Sequence, residues 1–197
     1  MNKRALLAIP LALLLSNEVQ AQEWYAAMSY GMAAPISDTK AFTEGTSWRN
    51  FGFDVLARVK ENRTIGLSLG WNVFDEVTTE VSSVEGIDIA GTQYRYINSF
   101  PMLVSIRQYM GTSGGARPFV GLGVGTQYVK MRVDVGQWRI SDNTWHLAFA
   151  PEIGVLVPTG NMGFFLVAKY NYAVKASDRT HSNFGVNIGV AWQTGGF

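Results

Sequence analysis

The stretch Thr64-Ile65-Gly66-Leu67-Ser68-Leu69-Gly70-Trp71-Asn72-Val73 decides the fold. In an extended chain Ile65, Leu67, Leu69, Trp71 and Val73 point one way, and Thr64, Gly66, Ser68, Gly70 and Asn72 the other. Strict alternation of this kind predicts a strand with two unlike faces. The second face is small and neutral, without the Lys and Glu that keep a soluble surface in water. A narrow barrel needs such a face inside, where small residues leave room for an occasional long one. The bulky apolar face then meets lipid.

The same pattern recurs along the chain. Strands are predicted near 23–34, 48–60, 63–75, 92–109, 117–130, 145–158, 162–174 and 182–193. The second sets Phe51, Phe53, Val55, Ala57 and Val59 against Gly52, Asp54, Leu56 and Arg58. The fifth sets Val120, Leu122, Val124 and Tyr128 against Gly121, Gly123, Gly125 and Gln127. The last sets Phe184, Val186, Ile188, Val190 and Trp192 against Gly185, Asn187, Gly189 and Ala191. Short connections at 61–62, 110–116 and 158–161 alternate with longer ones at 35–47, 76–91, 131–144 and 175–181. That alternation is expected when turns face the periplasm and loops face outward. With the first strand rising, Tyr30, Trp48, Trp71, Tyr94, Tyr96, Tyr128, Trp145, Tyr170, Tyr172 and Phe184 fall at outer strand ends, and Trp24 and Trp192 at inner ends. Amphipathic rings prefer the headgroup level, so these residues read as two aromatic girdles. The fold class is all-β: a transmembrane, antiparallel, up-and-down barrel of eight strands in the cell outer membrane.

The N-terminus reads as an address. Lys3 and Arg4, the apolar run Ala5–Leu15 and the small residues of Val19-Gln20-Ala21 form a three-part export signal, giving residues 1–21 as signal peptide and 22–197 as the barrel domain. The run is too short to span a bilayer, and Pro10 interrupts it. Removal of Lys3, Arg4 and Glu18 takes the formal net charge from +1 to 0. A neutral chain offers no broad basic surface for nucleic acid. There are no cysteines, hence no disulfide framework and no thiolate chemistry.

With its signal peptide, its eight alternating segments, the run Arg117-Pro118-Phe119-Val120-Gly121-Leu122-Gly123-Val124-Gly125 and its closing strand 184–192, the chain resembles the small outer-membrane barrel superfamily. That group includes the outer membrane protein A and X types, the opacity proteins and the W type. The resemblance covers nearly all of residues 22–197 and implies architecture more than function. Such chains often end on an aromatic in phase with the last strand's lipid face. Phe197 is out of phase with Trp192, so the insertion signal ends either at Trp192 with a short tail or at Phe197 after a bulge.

The inward face carries Asp54, Arg58, Arg95, Arg107, Glu152 and Lys169. Asp54, Glu152 and Lys169 fall near mid-height and are expected to pair, because isolated charges there are costly to desolvate. Arg58 and Arg107 are expected near the periplasmic end and Arg95 near the outer end, where solvent reaches them. Eight strands leave an interior just wide enough for side chains, so a plugged lumen is the first reading and an ion path the second. Phe74, Ile97, Leu103, Leu156 and Phe165 supply apolar matter, which keeps a conduit for small apolar solutes in play.

Candidate chemistry is thin. His146 and His181, without cysteines, do not suffice for a zinc centre, and no cofactor is expected. Outer-membrane lipid A deacylases carry a His-x-Ser pair, but here His181 and Ser182 are adjacent, so a strand would send them to opposite faces. A solvated loop-end histidine is the reading carried forward. Gly121, Gly123 and Gly125 precede no helix and so form no phosphate loop.

The outer loops say more. Asp75 and Glu76, then Glu80, Glu85 and Asp88, make one loop acidic, while Val81, Val84, Ile87 and Ile89 keep strand character within it. Val129, Met131, Val133 and Val135 continue alternation past the expected membrane edge, which predicts an exposed sheet whose edge can template a partner strand. The expected function is a non-enzymatic surface barrel for envelope integrity or loop-mediated adhesion. A narrow pore or apolar conduit and a lipid A-modifying enzyme are the alternatives. Expected partners are outer-membrane lipid and lipopolysaccharide, with a protein or host-surface partner through the loops, for a monomeric chain.

Overall fold

In the computed structural model, residues 23–79, 82–84, 87–89, 91–111, 114–176 and 179–193 are described. The elements are β1 (Trp24–Ile36), α1 (Asp38–Phe42), β2 (Ser47–Lys60), β3 (Arg63–Thr78), β4 (Ser82–Val84), β5 (Ile87–Ile89), β6 (Gln93–Tyr109), β7 (Arg117–Val135), β8 (Trp138–Thr159), β9 (Met162–Ala176) and β10 (Arg179–Gln193). Eight of the strands close into one barrel, ordered β1-β10-β9-β8-β7-β6-β3-β2, while β4 and β5 form a separate two-stranded ladder. Each barrel strand pairs antiparallel with its neighbours in sequence, and β1 closes the ring on β10 from Tyr25↔Gln193 to Ile36↔Ser182. Closure satisfies the backbone without a membrane-exposed edge, which is what lets strands cross a bilayer. Among the described residues no helix is long and apolar enough to cross.

Side chains sort as the alternation requires. Leu67, Leu69, Val104, Ile106, Val120, Leu122, Ile153, Phe164, Leu166 and Ile188 stand exposed on the outside. Ala27, Asn50, Asp54, Leu56, Ser68, Leu103, Ser105, Ala150, Glu152 and Val167 are buried within. An uninterrupted apolar exterior of this kind is a lipid-facing surface.

The structure corrects two connections. Residues 131–144 are not a long loop: β7 and β8 run on as a hairpin that turns over Gly136-Gln137, with Val135↔Trp138 as the last pair. Gly136 takes φ 56°, a left-handed conformation that suits glycine in a two-residue turn. Nor is 175–181 long, since β9 reaches Ala176 and β10 begins at Arg179. Residues 1–21, Glu80, Val81, Glu85 and Phe197 lie outside the described residues.

Candidate functional site: the filled lumen and the raised sheet

From the periplasmic side upward, the lumen is filled in layers. At the bottom, the Arg58 guanidinium pairs with Glu23 and donates from Nη2 to Gln193 Oε1 at 3.1 Å. Just inside, Tyr25, Leu56, Tyr109, Phe119, Leu156 and Phe165 form a buried cluster with Ala27, Val167 and Ala191. The Tyr25 and Tyr109 hydroxyls hydrogen-bond to each other, and Arg117 stacks over the Tyr109 ring at 5.1 Å.

The ionic layer lies on this cluster. Arg107 donates from Nη2 to Asp54 Oδ2 at 2.7 Å and from Nε to Glu152. Lys169 Nζ stands 3.2 Å from Glu152 Oε2, and Phe119 lies under the guanidinium at 5.2 Å. Arg107 therefore belongs to the central layer, not to the periplasmic end. The cause is register: Arg107 pairs with Gly121, Gly121 with Glu152 and Glu152 with Lys169, so one row across four strands holds the group. Gly121 leaves the room the carboxylate fills: a Cβ there would lie 2.7 Å from Glu152 Oε1 and 3.0 Å from the Ile106 carbonyl oxygen. Charge balances within the layer, and every ion has a partner, as burial demands.

Above it, amides replace charges. Asn50 Nδ2 donates to Asn187 Oδ1 at 2.7 Å, and Asn171 Nδ2 to Asn183 Oδ1 at 2.9 Å. The space left among Ser29, Asn50, Asp54, Asn72, Lys169 and Asn187 is about 30 Å³. That is room for one or two waters and no solute.

Outside, Trp71, Phe100, Tyr128 and Trp145 form a chain of ring contacts across β3, β6, β7 and β8, with centroids 6.1, 6.3 and 5.1 Å apart. Phe100 escaped the sequence reading because Pro101 follows it and breaks the alternation signal. Tyr170 stacks on Tyr172 at 6.4 Å, and Tyr30, Trp48 and Phe184 are exposed nearby on the outer half. Trp24 and Trp192 are exposed at the other end. Tyr94 and Tyr96 stand further out, opposite Asp134 and Arg132, with Arg132 over the Tyr96 ring at 4.5 Å. Arg132 and Asp134 share this outer face of the sheet with the two tyrosines, which stand beyond the ring contacts of Trp71, Phe100, Tyr128 and Trp145.

That sheet is the upper part of β3, β6, β7 and β8. Pairing continues from Val73↔Asn98 to Thr78↔Gln93, from Asn98↔Lys130 to Gln93↔Val135, and from Val129↔Thr144 to Val135↔Trp138. Its inner face buries Phe74, Ile97, Val129 and Met131 with Ala33, and Phe42 of α1 packs against them. Arg95, at the outer end, lies 5.6 Å over the Phe42 ring and donates to the Phe42 carbonyl at 3.4 Å. The β3 edge is covered: Ser47 donates to the Val73 carbonyl, Arg49 pairs with Asp75, and the Glu44 amide donates to Glu76 at 2.5 Å. The β8 edge differs. Its pairing with β9 begins at Ala148↔Ala173, so Trp138–Trp145 has no ladder partner among the described residues on that side.

His181 is not a solvated loop-end residue. It is 5% exposed because α1 folds over the mouth: Thr39 Oγ1 lies 3.5 Å from its Nδ1, and the His146 ring meets it edge-on at 5.1 Å. Ser182 Oγ has no hydrogen-bond partner among the described residues, so no serine–histidine pair is assembled. No cluster of three or more metal-ligating side chains occurs among the described residues.

Fold and surface together define a small outer-membrane barrel of eight strands. Solved structures agree on that architecture. Neisserial surface protein A is similar at 14% identity and TM-score 0.55, covering 88% of this chain and 97% of its own. The attachment invasion locus protein of Yersinia pestis is similar at 11% identity and TM-score 0.55, with 88% and 99% covered. A major outer membrane protein of Thermus thermophilus is similar at 9% identity and TM-score 0.63, with 89% and 100% covered. No family model and no curated protein sequence matches the chain.

Proposed function

We propose that this chain is a non-enzymatic surface barrel that holds a raised β-sheet above the outer membrane for strand-to-strand binding of a protein partner, with residues 1–21 as its export signal. The observation that carries the reading is the β8 edge at Trp138–Trp145, which runs outward from the aromatic belt and has no ladder partner on its β9 side among the described residues, while the opposite β3 edge is covered. A row of unpaired backbone donors and acceptors is a template for an added strand, and the rigid barrel beneath keeps it from being lost to disorder. The Yersinia pestis protein of this fold is named for attachment and invasion, and has been crystallised with the heparin analogue sucrose octasulfate. That is analogy at the level of fold.

The test is a hairpin shortened by removing 131–142, displayed on a host strain that lacks other adhesins. The expected outcome is a barrel that still shifts on a heat-modifiability gel but no longer retains cells on matrix-coated or host-cell surfaces. Retention equal to that of the full chain removes the proposal.

A further inference from the structure

The segment around α1 bridges the barrel mouth and is fastened on both sides. Toward β10, Asp38 Oδ2 accepts from the Thr180 amide at 2.8 Å and its hydroxyl at 2.9 Å, and Thr39 Oγ1 accepts from the Ser182 amide at 3.1 Å. Toward β3 and β6, Phe42 and Glu44 hold it as described above. Thr39 and Thr43 are 2% and 0% exposed, so the segment is a packed lid rather than a loose loop. It is also strained: Ser37, at its start, takes φ 53°, a left-handed conformation uncommon outside glycine.

Two imidazoles lie directly beneath it. His146 and His181 are 2% and 5% exposed and in ring contact. His146 Nδ1 is 2.9 Å from the Val174 carbonyl, which can only accept, so Nδ1 carries the proton. His146 Nε2 is buried with no hydrogen-bond partner among the described residues. A proton at Nε2 would be a buried N–H without an acceptor among the described residues. The charged groups that act on His181 are Arg179 on β10, Asp38 on α1 and Asp142 on β8, while Lys175 on β9 acts on Asp38. A proton on the buried His181 ring has no ion-pair partner among the described residues, and burial without one is costly. A lid that lifts would let water solvate a charged ring.

We propose that α1 and its flanking residues are an acid-released lid, latched to β10 while the buried His181 ring is neutral and freed when that ring takes up a proton. Burial pushes the His181 ring down to about 4, so release falls below the range of a free imidazole. It is independent of any partner strand on β8.

The experiment uses the full barrel, ¹⁵N-labelled and refolded in lipid nanodiscs, followed by NMR from about pH 7.5, above the free imidazole range, down to about 4, where burial puts the His181 ring. In the unaltered protein the Thr180 and Ser182 amide signals are expected to shift together, with the midpoint of the imidazole nitrogen signals. In the H146Q/H181Q variant they stay at their neutral-pH positions. Imidazoles that titrate while both amides hold still overturn the proposal, as does release of the variant at the same pH. If the double variant does not refold, H181Q alone decides the same question: amides that still shift together in it overturn the proposal.

Discussion

Arg107 is shared by two carboxylates from strands on different sides of the lumen, Asp54 on β2 and Glu152 on β8. Replacing it by Met keeps much of the volume, leaves the buried Asp54 without an ionic partner among the described residues and leaves Glu152 with Lys169 alone. Breaking a buried pair in this way costs about 3–5 kcal/mol. The expected result is a urea midpoint for unfolding well below that of the unaltered barrel, read by band shift on unboiled gels; an unchanged midpoint contradicts the central role of Arg107. Asp38 offers a second test at this scale. Hydrogen bonds from the Thr180 amide and hydroxyl hold its carboxyl below the usual value. A carboxylate held down in the folded state contributes stability above its unfolded value, and that contribution is lost as pH falls through the folded one. In the H146Q/H181Q background, where the histidines no longer respond, the Thr180 amide is therefore expected to keep its latched position down to about pH 4, the ordinary Asp range. It moves only below that. Adding Asp38→Asn removes this acid transition and leaves a pH-independent Thr180 signal.

At the scale of elements, the point at issue is where lipid ends on strands that do not end there. Leu67 on β3 is 58% exposed in the middle of the apolar exterior, and Trp138 is 80% exposed at the tip of the β7–β8 hairpin. Both are large, apolar and unburied, yet they stand in different solvents. Leu67→Arg is expected to destabilise the folded barrel by about 2–4 kcal/mol, the cost of a cation at the bilayer midplane, and Trp138→Arg to leave it nearly unchanged. Equal effects in a lipid-vesicle refolding titration would mean that the membrane edge is misplaced. The same contrast explains what could be read in advance. Alternation located all eight barrel strands, because a two-sided environment writes a period of two wherever it acts. It could not bound β7 and β8, because above the lipid the outer face becomes polar while the inner face, covered by Phe42, stays apolar. It also gave no sign of α1, five residues whose helix is held by contacts with β10 and β6 rather than by its own periodicity.

For the molecule as a whole, the layers of the lumen decide transport. An apolar plug, an ionic layer and an amide layer under a lid fill the interior, and the space beside the amides is only about 30 Å³. Purified protein in planar bilayers is expected to show no steady single-channel steps at neutral pH. Regular steps that disappear in Lys169→Ala or Glu152→Gln would instead make the ionic layer a conducting path. Counting residues along each strand placed Asp54, Glu152 and Lys169 together but misplaced Arg107, since height in a tilted barrel depends on cross-strand register as well as on position within a strand. Register follows from which turns are tight and where bulges fall, and neither is visible in alternation. The His146–His181 contact was hidden for a similar reason: β8 and β10 are separated by β9, and the two rings meet under a segment from the far end of the chain.

The unequal edges of the raised sheet bear on what happens when many copies share one membrane. Growth of a sheet from molecule to molecule requires each unit to offer two open edges, one to receive and one to pass on. Here β3 is occupied by residues 43–49 of its own chain, through Ser47, Arg49 and Glu44, and β8 alone is open among the described residues. Two copies meeting edge to edge must use β8 against β8, a self-complementary contact that closes on itself. Crowding can therefore yield pairs, while the route to open-ended fibres is blocked by the chain's own first loop.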